Sequence, residues 1–100
     1  MREPIAGLDW DEGNRGKCHK HGVTLEQIED VFRGGLRVFP DPGHSAAETR
    51  YLGIGRTDGR SVLVAFTIRV IAGARFIRPI SARFMHAQEI KHYEAQIQDF

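Results

Sequence analysis

One cysteine, Cys18, occurs in 100 residues. A lone thiol excludes an internal disulfide framework and fits a reducing compartment. No apolar run approaches the roughly 20 residues that a membrane-spanning helix needs. The opening "MREPIAGLDWDE" has no apolar core of the kind a secretory signal carries, so the expected location is cytoplasmic, away from any membrane. Metal ligands are not grouped either. His19 and His21 lie too close in sequence to span a helix face, and His44, His86 and His92 have no acids clustered with them at ligand spacing. Neither a metal nor another cofactor is expected. No Ser/His/Asp spacing marks a nucleophilic triad. Repeats, low-complexity stretches and linkers are absent as well. Residues 1–100 therefore read as one domain, long enough to bury a modest core.

Charge is abundant but unevenly placed. Charged residues are 27% and hydrophobic residues 41%, ordinary for a globular chain, and net charge is only +1. Residues 1–49 hold six Lys/Arg against nine Asp/Glu, and residues 84–100 hold one lysine against three acids. Between them, residues 50–83 hold seven arginines against Asp58 alone. A segment this basic can form a local patch for an anion. Arginine is also the cation whose planar fork suits bidentate phosphate contact. Solvated strand faces would give the same composition.

The element order reads β, α, α, four strands, α. "LDW" (8–10) ends a short first strand, and Asp9 or Asp11 can cap a helix running to about Lys20, with Gly22 just past its end. Gly13 and Gly16 would weaken that helix by roughly 1 kcal/mol each relative to alanine. In the second helix, Thr24 and Gln27 form a capping box, and Val23 with Ile28 occupy the hydrophobic-staple positions. Leu25, Ile28, Val31 and Phe32 recur at helical spacing until "GG" at 34–35. Strands follow at "LRVF" (36–39), "TRYLGIGR" (49–56), "SVLVAFTIR" (61–69) and "RFIRPISA" (75–82), with a loop at "PDPGHS" and a hairpin signal at Asp58-Gly59. Pro79 cannot donate a ladder hydrogen bond and so belongs at an edge, a bulge or a strand end. From Ala87 onward Ile90, Tyr93 and Ile97 share a helix face. An antiparallel sheet of about four strands with helices packed on it is an α+β fold.

Three stretches resemble one family. "LDWDEGNRGKCHKHGVTLEQIEDVF" is similar to the opening of the BrnT toxins, in which W-D precedes K-H-G, a β-branched residue, Ser or Thr, and x-E. "ETRYLGIGRTDGRSVLVAFTIR" resembles the family's E-x-R-Y…G-R…T-x-R hairpin, and "IRPISARFMHAQEIKHYE" its R-x-I-S-A-R…E-x-x-x-Y close. The motifs stand in order across about residues 8–95. The resemblance implies a RelE-like fold and the toxin half of a type II toxin–antitoxin pair. It further implies a ribonuclease that inhibits translation and a BrnA-type antitoxin, a ribbon-helix-helix DNA-binding partner. RNA, in one reading presented by the ribosome, would be the substrate.

Metal-free RNA cleavage needs a base for the 2′-hydroxyl, cations for the pentacovalent phosphate and an acid for the leaving 5′-oxygen. Arg69, Arg78 and Arg83 fall on the family's T-x-R and R-x-I-S-A-R positions and are the expected catalytic or phosphate-binding cations. Arg78 or Arg83 could instead pair with acids of the first half. Arg50, Arg56 and Arg75 are candidates for contact with the RNA backbone. His86 stands where the family often has Thr or Ser, an N-cap position with Glu89 three residues on. It could transfer protons, since its unperturbed pKa is near 6.5, or pack against Ile90. Gly13, Gly16, Gln88 and Ile90 replace cations common in the family, which lowers expected RNA affinity. Two other readings therefore stand beside the nuclease: a non-cleaving partner of the antitoxin in a repressor complex, and a small RNA-binding module.

Overall fold

The computed structural model describes residues 5–41, 43 and 48–98, without the side chains of 94–98. Its elements are β1 (Gly7–Leu8), α1 (Glu12–His19), α2 (Leu25–Arg33), β2 (Arg37–Pro40), β3 (Tyr51–Thr57), β4 (Arg60–Ile71), β5 (Ala74–Phe84) and α3 (Ala87–Gln98). Pro42, His44 and Ser45 of the "PDPGHS" loop and the side chain of Ile97 lie outside the described residues. Among those described, no helix is long and apolar enough to cross a membrane.

Local chemistry sets both helix starts. Asp11 caps α1 by accepting from Asn14 N–H at 3.1 Å, while the Asn14 side chain accepts from Asp11 N–H at 2.8 Å. Thr24 and Gln27 make the same reciprocal pair at α2, at 3.0 and 2.9 Å. A cap of this kind stabilises a helix by about 1 kcal/mol. Gly22 ends the first of these helical turns with φ +87°, a conformation that costs glycine nothing.

The sheet order is β1-β5-β4-β3-β2. The four later strands form the expected antiparallel meander, and β1 adds a fifth, parallel strand through Gly7↔Phe76 and Leu8↔Ile77. Asp58 and Gly59 both have positive φ, 51° and 74°, as a two-residue type I′ turn requires. Ala72 and Gly73 do likewise at 52° and 80°. That second turn lets the β4–β5 ladder run out to Ile71↔Ala74, longer than the strand signals alone suggested. Pro79 sits at a bulge: Ala65 opposes Ser81 and Phe66 opposes Pro79, leaving Ile80 over.

Alternation along the strands divides the sheet into two faces. Val62 and Val64, with Ala82 of β5, join Cys18, Val23, Ile28 and Val31 in a fully buried cluster beneath α1 and α2. Each of the larger of these side chains contributes roughly 1.5–3 kcal/mol by leaving water. Helix α2 lies close on β3, where a Cβ built on Gly55 would come within 2.6 Å of Val31 Cγ1. Burial pushes the Cys18 thiol up to about 11, so it is packing rather than a nucleophile. The other face carries Arg37 and Phe39 of β2, Ile54 and Arg56 of β3, Ser61 and Leu63 of β4 and Arg83 of β5. Helix α3 packs there, with the Tyr93 ring 5.4 Å from that of Phe39.

Candidate active site

The strand register places one row of residues across the sheet under α3: Arg37 opposite Ile54, Ile54 opposite Leu63, and Leu63 opposite Arg83. Its two arginines stand on different strands about 14 Å apart at the backbone, three strand spacings. In the next row on the same face, Arg56 opposes Ser61. Arginines from β2, β3 and β5 thus surround one end of the sheet. A groove of about 580 Å³ opens there, walled in part by Arg37, Ile54, Arg56, Ser61, Ile90 and Tyr93; Arg83 stands on the same face, one strand beyond Ser61 and outside this lining.

Of the three, Arg83 makes the fullest set of contacts. Its Nη1 and Nη2 donate to Glu89 Oε1 and Oε2 at 2.8 and 2.6 Å, a fork that a phosphate's two oxygens could occupy in the same way. Glu89 also accepts the His86 backbone N–H at 3.1 Å. The Arg83 hydrogen bond, then that N–H, holds the Glu89 carboxyl down at about 2. Glu89 is therefore ionised at neutral pH and a poor proton acceptor. His86 is exposed and directly precedes α3, with its carbonyl bonded by Ile90 N–H at 3.1 Å. Half of the capping box expected there is formed, from the Glu89 side, and the exposed imidazole is not buried against Ile90.

Arg69, Arg78 and Arg83 are not brought together. By register they lie on one face of the β4–β5 pair, yet Arg69 opposes Phe76, roughly 20 Å along β5 from Arg83. The half-exposed Arg69 pairs with Glu48 at 3.4 Å. Arg78 reaches Asp9 at 3.3 Å and Asp11 at 2.9 Å, and its side chain is only 18% exposed. Burial works against its charge, but Asp11 and then Asp9 outweigh that and hold its pKa above the ordinary value. The Asn14 N–H bond, helped by Arg78, lowers the Asp11 carboxyl in turn. This cluster ties the entry of α1 to β5. Arg50 precedes β3, and Arg75 opposes Val70 on the exposed β4–β5 arm; both have interaction partners. Arg56 donates from Nη2 to the Gly59 carbonyl at 2.7 Å and does line the groove.

Two groove residues were not legible as functional. Arg37 lies in no motif, and only the β2–β3 register, Arg37↔Ile54, turns it toward Arg56. Ser61 reads as an ordinary strand residue until its partner Arg56 is known. No group of three or more His, Cys, Asp or Glu able to hold a metal occurs among the described residues.

A family model described as "Ribonuclease toxin, BrnT, of type II toxin-antitoxin system" matches residues 10–89, most of the chain. The chain belongs to the BrnT toxin family. A search of curated proteins returns no match. The matched span holds every arginine of the groove together with His86 and Glu89, while Tyr93 falls beyond it. As a member of this family the chain is a ribonuclease-type toxin with an antitoxin counterpart.

Proposed function

We propose that this BrnT toxin is a cytoplasmic, metal-independent endoribonuclease that cuts RNA in the groove beside α3, halts translation, and is silenced by a BrnA-type antitoxin. The observation that carries this reading is the gathering of Arg37, Arg56 and Arg83, from three strands, on one face at one end of the sheet, where Arg37 and Arg56 line a groove. The scissile phosphate displaces Glu89 and takes the Arg83 fork, so that two N–H donors meet the oxygens on which charge builds. The neighbouring 2′-hydroxyl loses its proton and attacks phosphorus, the bond to the 5′-oxygen breaks, and that oxygen is protonated. His86, exposed at the start of α3, is the group we assign to one of these proton transfers. Arg56 adds a second cation at the groove. Arg78 serves chiefly as the clamp on α1 through Asp9 and Asp11. Arg50, Arg69 and Arg75 can meet RNA only where it runs past the groove along the sheet.

A second reading has one observation in its favour: the Arg83 fork is fully occupied by Glu89. In a non-cleaving member that pair would stay closed and the protein would act through its antitoxin alone. Incubating the purified protein with RNA in EDTA separates the two. Cleavage leaving 2′,3′-cyclic phosphate and 5′-hydroxyl ends is expected. Activity abolished by EDTA and restored by one metal would overturn the metal-free mechanism, and intact RNA under all conditions would favour the second reading.

A further inference from the structure

The arginines around α3 differ in how their charges are met. Arg83 has Glu89, whereas Arg56 is held by a neutral carbonyl, that of Gly59, and Arg37 makes no ion pair among the described residues. Arg37 and Arg56 lie diagonally across β2 and β3, a relation that sets Cα atoms about 7–8 Å apart. Two like charges so placed repel one another, and no described carboxylate relieves them. Both open into the same groove, where the Ser61 side chain lies opposite Arg56. We propose that Arg37 and Arg56, with the Ser61 hydroxyl, form a second phosphate subsite. It would hold the RNA phosphate next to the one cut at Arg83.

The inference rests on the RNA-cleaving reading and adds a minimum substrate to it. The row from Arg37 to Arg83 puts the two cationic positions at opposite ends of one line of residues across the sheet, with Ile54 and Leu63 between them. An RNA strand running beside α3 along this end of the sheet can place one phosphate at Arg83 and its neighbour at Arg37 and Arg56. The C-terminal end of α2, at Gly34, also borders the groove and presents the negative end of a helix dipole. That opposes an anion, but amounts to about half a charge fading within a turn, against two full charges. The competing explanation is that Arg37 merely guards β2, an edge strand, against pairing with another sheet. A guard residue would make no contribution to RNA binding.

Fluorescence anisotropy on the full chain decides between them, with a single-stranded 2′-O-methyl RNA as probe, since it lacks the attacking hydroxyl. Arg37→Gln should weaken binding of a probe carrying several phosphates roughly 10-fold. It should also lower the slope of log affinity against log salt by about 0.7, the value of one phosphate contact on a single strand. A dinucleotide probe with one phosphate should bind wild type and variant alike. Arg33→Gln, which removes an exposed arginine paired with Glu29 outside the groove, should leave both quantities unchanged. An unaltered salt slope in Arg37→Gln, or an equal loss for the one-phosphate probe, would overturn the second subsite while wild-type cleavage kept the nuclease reading intact. If wild type neither bound nor cut RNA, both would fall together.

Discussion

Asn14 is the polar hinge between α1 and the sheet, and its replacement by alanine should be severe. It is 4% exposed. Its Nδ2 donates to the Asp9 carbonyl at 2.8 Å and to the Pro79 carbonyl at 2.9 Å, and its Oδ1 accepts from Asp11 N–H. The Pro79 contact continues the β1–β5 ladder by side chain. Arg75 and Ile77 carbonyls on that edge receive Ala6 and Asp9 N–H groups, and Asn14 serves the next carbonyl of the series. Alanine removes three hydrogen bonds, each worth about 1 kcal/mol net, and leaves the carbonyl of fully buried Pro79 without its donor. The expected loss is about 3 kcal/mol, a large part of the roughly 5–15 kcal/mol that stabilises a domain. For a chain of this length that lowers Tm by roughly 12–24 °C. Urea and thermal unfolding followed by circular dichroism would measure it. Asn14→Asp should be no better, because a carboxylate would face the Pro79 carbonyl. A loss below about 1 kcal/mol for Asn14→Ala would refute the assignment of this side chain as the tie.

Two further outcomes concern the junction before α3. His86→Ser supplies the missing half of the capping box with Glu89, so it should raise stability by roughly 0.5–1 kcal/mol. The same variant should cut RNA about 100-fold more slowly if His86 moves a proton; full activity with raised Tm would end that role. Glu89 also gives a pH signature. Its carboxyl is held near 2 in the fold, below its ordinary 4.5, so its stabilising effect is complete above about pH 4.5 and fades as pH falls toward 2. Thermal melts of wild type and Glu89→Gln should therefore converge in that window, and a gap independent of pH would contradict the Arg83–Glu89 pairing.

Element identity was legible because the deciding signals are local. Thr24 and Gln27 announce α2, Asp58-Gly59 announces a hairpin, and the period of Leu25, Ile28, Val31 and Phe32 marks its buried face. The place of β1 was not, since a two-residue strand paired with residues near 76 leaves no local trace. Site geometry divided in the same way. Arg83 was placed at the strand-to-helix junction by its motif, but its partner was not: an acid of the first half was the expected alternative, and Glu89, six positions on, was read only as part of a cap. The clamp of Arg78 on Asp9 and Asp11 was foreseen only as a general pairing with the acidic first half. Arg37 could not be found at all without the register of β2 on β3, because a one-residue slip would turn it to the opposite face.

Arg83 can be tested most directly through the cleavage rate of a defined RNA by purified wild type and Arg83→Gln, each checked for fold by circular dichroism. Glutamine keeps much of the side chain but removes the charge and the fork. If Arg83 holds the reacting phosphate, the folded variant should cut at least about 100-fold more slowly, the scale on which loss of one transition-state donor acts. A folded Arg83→Gln protein that cuts the same RNA at the wild-type rate would contradict the placing of the chemistry in this groove.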